Sequence, residues 1–226
     1  QTLSATLVQA PSTPVILPGC IAGESLLSQI IVDKFLYHLP EYRQAKRFKE
    51  LGVEISTSSM NRWVHATADK LYGLYAAQME RVLSAGYIQV DETTHSITDR
   101  PGSARKGYIW VVRSVLVPGV FFYYDKGSRS GEVVLKMLKG YQGALQTDGY
   151  AAYSIFEEKK GVLPLGCMAH VRRKFENALT TTPEAKPALD YIALLYMLEG
   201  NLRAEGADWE QIRREREQKA YPILQQ

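Results

Sequence analysis

The sequence predicts an α/β fold in which a helical region precedes a sheet-containing core and a second helical segment follows it. Two observations carry this. Apolar residues recur at helical spacing up to about Ala85, alternate with a period of two from Gly86, and return to helical spacing after residue 184. Within the alternating stretch, Tyr87-Ile88-Gln89-Val90-Asp91 and Ala144-Leu145-Gln146-Thr147-Asp148 are runs of strand formers that each end at an aspartate. A buried run that delivers a carboxylate at its end is how α/β enzymes build metal sites. Two such runs suggest neighbouring carboxylates suited to Mg²⁺. The competing reading is that each aspartate caps the turn behind it.

The elements follow in order. Residues 1–23, with Pro11, Pro14 and Pro18, read as an extended lead-in. Residues 24–85 read as helical. Leu26, Leu27, Ile30, Ile31, Lys34 and Phe35 form a first stripe. Pro40 opens a second helix at its first turn, from Glu41 to about Leu51, and Gly52 ends it. Ser56, Thr57, Ser58 and Ser59 offer caps for a third helix with Met60, Trp63 and Val64 inward. Helix, glycine turn and Ser-capped helix outline a helix-turn-helix, with Asn61, Arg62 and His65 facing DNA. An ordinary three-helix packing unit gives the same outline.

From Gly86 the chain reads as strand 87–97, an Arg100-Pro101-Gly102 turn, strand 108–117, a tight Pro118-Gly119 turn and strand 120–124. A short helix (131–138), a strand (144–147), a helix (150–159), a strand (162–167) and a helix (170–179) complete the core, residues 86–183. The order β-β-β-α-β-α-β-α is that of a ribonuclease-H-like fold. There the first and fourth strands are neighbours, and right-handed crossovers bring Asp91 and Asp148 to one edge. Residues 184–226 read as a helical segment. One helix in it has Ala188, Tyr191, Ile192, Leu195, Tyr196 and Leu198 on its apolar face and ends near Gly200. A charged helix follows from Trp209 to Lys219, a solvated face.

Composition narrows the function classes. The 226 residues are 46% hydrophobic and 23% charged, globular values. No run approaches the ~18 apolar residues of a membrane span, and no basic-then-apolar leader opens the chain, so no membrane partner is expected. Cys20 and Cys167 lie too far apart for a zinc pair and suit a reducing cytoplasm. A net charge of +3, from 27 basic and 24 acidic residues, permits a nucleic-acid partner without requiring one.

Two carboxylates side by side repel, and hard divalent cations, Mg²⁺ or Mn²⁺, relieve that. A third acidic ligand normally completes such a site. Glu92 points to the opposite strand face and fits poorly; Glu176 and Glu199 lie on later helices, and a residue beyond Gln226 is a further option. Cys167-Met168-Ala169-His170-Val171-Arg172-Arg173-Lys174-Phe175 leaves a strand for a helix with three consecutive basic residues. His170, Arg172, Arg173 and Lys174 suit a phosphodiester backbone. The alternative has Cys167 buried and His170 as a cap.

These strings, with Leu39-Pro40-Glu41-Tyr42-Arg43-Gln44, Val90-Asp91-Glu92-Thr93 and Leu195-Tyr196-Met197-Leu198-Glu199, resemble the insertion-sequence transposases of the IS-sixty-six family over about residues 10–224. The resemblance implies a DDE transposase of bacterial, nucleoid-associated location. It would use Mg²⁺ or Mn²⁺ and act on transposon ends and target DNA as a homo-oligomer with helper proteins of the same element. Asp91 and Asp148 match the first two catalytic acids. Family members are longer. They have an N-terminal cysteine-bearing segment and a C-terminal Asp-Asn-Asn…Glu-Arg motif, neither found here, so the chain reads as a piece of a longer protein. If that motif carries the third acid, residues 184–226 begin a helical insertion and this chain cleaves DNA poorly; otherwise Glu199 serves. A DNA-binding protein without catalysis, or another ribonuclease-H-like nuclease, are the alternatives.

Overall fold

The structure is a computed structural model that describes residues 15–100 and 102–225, with Asp99 and Arg100 described by their backbone alone. Most of the expected lead-in, Pro101 of the first turn and Gln226 lie outside the described residues. The chain divides into two compact units, Gln1–Ala77 and Gln78–Gln226.

In the first unit, helix α1 (Glu24–Phe35) and helix α2 (Glu41–Glu50) precede helix α3, which spans Thr57–Leu83 and crosses the division between units. Pro40 is the N-cap of α2, one position before the expected first turn. Ser56 caps α3, its Oγ accepting the Ser59 N–H at 3.1 Å. Ile30, Met60 and Val64 form one buried cluster, with Phe48, Ile55 and Trp63 packed against it. The first helical stripe is narrower than the sequence suggested. Leu27 and Ile30 are buried, but Phe35 is exposed and Asp33 is buried instead. Asp33 is held by an ion pair with Arg47 and by the Gln29 Nε2 donor at 2.7 Å. Gln44, fully buried, donates to the carbonyls of Leu39 (2.8 Å) and Ile30 (3.2 Å) and so ties α2 to α1.

The second unit is mixed α/β. Its five-stranded sheet comprises β1 (Tyr87–Arg100), β2 (Ser103–Ser114), β3 (Val120–Asp125), β4 (Gly143–Thr147) and β5 (Val162–Gly166), in the order β3-β2-β1-β4-β5. β1 is antiparallel to β2, and β2 to β3; β4 runs parallel to β1 and to β5. The first and fourth strands are thus adjacent and parallel. Helix α4 (Gly131–Met137) leads into β4, and helix α5 (Met168–Ala178) leaves β5. Ile88, Val90, Trp110, Val112, Phe121, Val134, Leu138, Leu145 and Phe156 make the core.

Several boundaries differ from expectation. β2 stops at Ser114, so the link to β3 is the longer 115–119 loop and not a tight Pro-Gly turn. The Ser114 Oγ accepts the Val117 N–H (3.0 Å) and its own N–H reaches Gly119 O (3.0 Å), closing that loop locally. The helix expected over 150–159 is a short 3₁₀ turn, Ala151–Phe156. There the Ser154 Oγ bonds Ala151 O at 2.9 Å, and i→i+3 bonds such as Glu157 N–H to Ser154 O (3.0 Å) replace α-helical ones. Helix α6 (Lys186–Ala204) runs past Gly200. The charged C-terminal helix is interrupted: α7 (Trp209–Glu215) passes through a π-helical turn at Arg216–Ala220 into α8 (Tyr221–Leu224).

Candidate functional site

Strand parity decides which side chains share a face. In the β1–β2 register Gln89 stands opposite Arg113 and Asp91 opposite Val111, while β1–β4 pairing sets Gln89 beside Gln146. Alternation then puts Gln89, Asp91, Val111, Arg113, Gln146 and Asp148 on one side of three adjacent strands. All six line one cleft of about 240 Å³, together with Thr147, Cys167 and His170. Both sequence-selected aspartates are therefore in the same cleft. Gln89 Nε2 donates to Gln146 Oε1 at 2.6 Å, and Gln146 Nε2 donates to Gly166 O at 3.2 Å, a polar ladder below the carboxylates.

Each aspartate accepts a backbone N–H on one carboxylate oxygen. Asp91 Oδ1 accepts the Glu92 N–H at 2.9 Å, and Asp148 Oδ1 accepts the Tyr150 N–H at 2.8 Å. The Asp148 bond is the local capping contact that the competing reading expected. Asp91 is open to solvent, its side chain 59% exposed, and its Oδ2 lies 3.8 Å from His170 Nε2. The backbone needs glycine just after Asp148, where Gly149 has φ +78°.

Two carboxylates in an open cleft fit a hard divalent cation. Mg²⁺ is commonly held by one or two carboxylates, with waters and substrate phosphates completing its shell. Among the described residues no group of three or more His, Cys, Asp or Glu side chains is arranged to hold a metal ion.

The opposite face of β1 carries Glu92, whose side chain is only 2% exposed. Arg129 Nε donates to its Oε1 at 2.6 Å and the Tyr153 phenol donates to its Oε2 at 2.7 Å. Burial, reinforced by Glu92, holds the Tyr153 phenol well above its ordinary range. Burial works against the charge on Arg129, but Glu92, with smaller help from Tyr150 and Asp148, outweighs it and raises the guanidinium above its usual value.

The remaining sequence-selected residues lie elsewhere. Glu199 is not in the cleft. Both its oxygens are held by Arg216, at 2.6 and 2.8 Å, beside a mostly apolar pocket lined by Met168, Leu195, Tyr196, Ala220, Tyr221 and Leu224. That hydrogen bond holds the Glu199 carboxyl below its ordinary value. Glu176 pairs with Arg172 at 2.6 Å. Arg172, Arg173 and Lys174 are exposed on α5, next to His170. Asn61, Arg62 and His65 are exposed on α3 in the other unit, where Arg62 donates to Ser59 Oγ at 3.3 Å. Sequence reading missed Arg113, Gln89 and Gln146; the signal was available, since Arg113 falls opposite Gln89 once the first hairpin is put in register.

A mixed α/β unit whose parallel central strands deliver two aspartates to one cleft is the class this structure defines. The chain belongs to the Transposase IS66 family, whose sequence pattern matches residues 19–226. It is similar to three proteins of Sinorhizobium fredii (strain NBRC 101917 / NGR234). It is 30% identical to the uncharacterized protein y4jD, over 97% of this chain and 46% of that protein. Identity is 31% to the uncharacterized protein y4qI, over 89% and 40%, and 32% to the uncharacterized protein y4hP, over 74% and 32%. The chain spans less than half the length of these relatives.

Proposed function

We propose that the second unit is a ribonuclease-H-like core and that the protein acts in DNA transposition as a DDE-type transposase, cutting and joining strands by metal-dependent phosphoryl transfer. The observation that carries this reading is the convergence of Asp91 and Asp148 in one cleft from adjacent parallel strands. Three antiparallel strands followed by two parallel ones support the fold reading, and family membership supports DNA as the substrate.

In this reading Asp91 and Asp148 hold Mg²⁺ or Mn²⁺. Such an ion, when bound, activates an attacking water or 3′-hydroxyl and stabilises the leaving oxygen. The chain's own side chains supply the rest. Arg113 and His170 line the cleft, and Arg172, Arg173 and Lys174 follow along α5. In this reading they take backbone phosphates, which position a strand without reading its sequence. Residues 41–70 form a helix-turn-helix-like DNA-binding element, with Asn61, Arg62 and His65 outward. Further copies of the chain and helper proteins of the same element assemble with it on DNA in the bacterial cytoplasm.

The test is a Mn²⁺ titration and a cleavage assay on element-end DNA with the wild-type chain, Asp91→Asn and Asp148→Asn. Cation affinity that both variants remove supports the reading; affinity indifferent to both ends it. Arg62→Ala should reduce the salt dependence of DNA binding by about one phosphate contact. An unchanged slope returns α3 to a plain packing role.

A second reading, DNA binding without catalysis, is favoured by one observation: no third acidic side chain joins the pair among the described residues. It predicts DNA binding by this chain with no metal-dependent cleavage.

A further inference from the structure

We propose that Arg129 is a positioning residue: stacked on the Tyr150 ring and paired with Glu92, it fixes the turn at 148–150 and so sets where the Asp148 carboxylate stands relative to Asp91. This rests on the metal reading of the cleft.

The reasoning begins with adjacent residues on β1. Asp91 faces the cleft, so Glu92 must face the other way, into the interior. A carboxylate that is 2% exposed requires full compensation, and it has it: Arg129 on one oxygen and the Tyr153 phenol on the other. Tyr153 is itself fixed, edge-on against Trp110 with centroids 6.1 Å apart and planes at 84°; Trp110 is fully buried. Glu92 is thus a rigid anchor one residue from Asp91.

Arg129 extends from that anchor to β4. It follows a turn in which Asp125 Oδ1 accepts the N–H groups of Gly127 (3.1 Å) and Ser128 (2.8 Å), so its backbone is held before its side chain begins. Its guanidinium carbon lies 3.7 Å from the centre of the Tyr150 ring, a stacking contact. Tyr150 in turn donates its N–H to Asp148 Oδ1 at 2.8 Å. A continuous path therefore runs from Asp91 through Glu92, Arg129 and Tyr150 to Asp148. Between those two ends, neither Glu92, Arg129 nor Tyr150 is among the residues that line the cleft. Phosphoryl transfer needs its ligands held to within about half an ångström, and supports of this kind provide that.

The chemistry asks for arginine at this position. A planar guanidinium can pair with Glu92 along its edge while its face lies on Tyr150; an ammonium can pair but cannot stack in that way. A purely structural ion pair would accept either cation.

The test uses the full chain and four variants: Arg129→Ala, Arg129→Lys, Tyr150→Ala and Tyr150→Phe. Three quantities are read: Mn²⁺ affinity by calorimetry, amide hydrogen exchange at Tyr150 in metal-free protein, and stability to urea. Arg129→Ala should weaken Mn²⁺ binding about tenfold, the scale of lost support behind a metal ligand, and speed exchange at Tyr150. Arg129→Lys should recover stability but neither Mn²⁺ affinity nor slow exchange. Tyr150→Ala, which leaves the Glu92 pair intact, should mimic Arg129→Ala; Tyr150→Phe should match wild type. Wild-type Mn²⁺ affinity in Arg129→Lys or Tyr150→Ala overturns the proposal. If the wild-type chain has no affinity that Asp91→Asn removes, the metal reading has failed separately. Exchange at Tyr150 then decides alone, and slow exchange in Arg129→Lys overturns the positioning role.

Discussion

The Asp91–Asp148 cleft and the pocket beside Glu199 lie in the same unit and both present carboxylates, but the chain treats those carboxylates in opposite ways. In the cleft each aspartate accepts a neighbouring backbone N–H on one oxygen, and neither is taken by a bidentate cationic side chain among the described residues. At the pocket, both oxygens of Glu199 are taken by one guanidinium, and the walls around the pair are mainly apolar. A bidentate Arg–carboxylate pair contributes orientation and modest stability, and the guanidinium beside both oxygens already balances their charge and repels a second cation. What separates a candidate ligand from a structural acid here is the partner and not the residue type.

The largest expected effect breaks that comparison directly. Asp91→Asn or Asp148→Asn removes a charged oxygen ligand and should lower Mn²⁺ affinity by on the order of a hundredfold or more, beyond the 10–100-fold of outer support. Glu199→Gln should leave Mn²⁺ affinity unchanged. Calorimetric titration of the three variants checks both halves. Equal losses in all three would place Glu199 with the aspartates.

The next effect acts on the sheet that brings the two aspartates together. Gly143 opens β4 with φ +130°, and a Cβ there would stand 2.2 Å from Gly86 O, at the root of β1. Ala144 N–H already bonds that same oxygen at 2.8 Å. Gly143→Ala must push β4 from β1, at a cost of about 2 kcal/mol. Urea denaturation should show that loss, with weakened Mn²⁺ binding beside it. A stable variant with full Mn²⁺ affinity would mean that the β1–β4 spacing does not set the site.

Much of this was legible in the sequence, for reasons specific to each element. The two aspartates stood out because strand-forming runs lead up to them, although β1 continues past Asp91 to Arg100 and only Asp148 stands at a strand end, and parity alone sent Glu92 to the far face. The helices around Met60 and Val64 were readable from 3.6-residue spacing and a serine cap. Arg129 was not readable. It sits in a loop, and its importance comes from Tyr150 and Glu92, which only the fold brings beside it. The Glu199–Arg216 pair was hidden for a similar reason. Arg216 occupies a π-helical turn, which shifts its side chain off the regular helical register, and a run of Glu and Arg reads equally well as a solvated face. The 3₁₀ turn after Asp148 was read as a longer helix, since serine competition for backbone carbonyls leaves no periodic signal.

The smallest predicted effect sharpens the comparison from the Glu199 side, through pH. The Arg216 hydrogen bond lowers the Glu199 pKa from its ordinary 4.5, burial opposing it. A carboxyl whose folded pKa lies below its unfolded one releases its proton more readily when folded, so the pair stabilises the fold above the unfolded value. That contribution fades as pH falls through the folded pKa, where Glu199 takes up a proton and the pair is lost. Its size is small, below about 1 kcal/mol, because the Arg216 and Glu199 side chains remain 46% and 35% exposed and solvent screens them. Glu199→Gln should therefore be slightly less stable than wild type at pH 7, and the gap should be narrower at pH 3. Added salt should narrow it further at neutral pH. Urea denaturation of both proteins at the two pH values measures this. A gap that persists undiminished at pH 3 would show that Glu199 supports the fold through packing and not through its charge. The pocket would then differ from the cleft in shape alone.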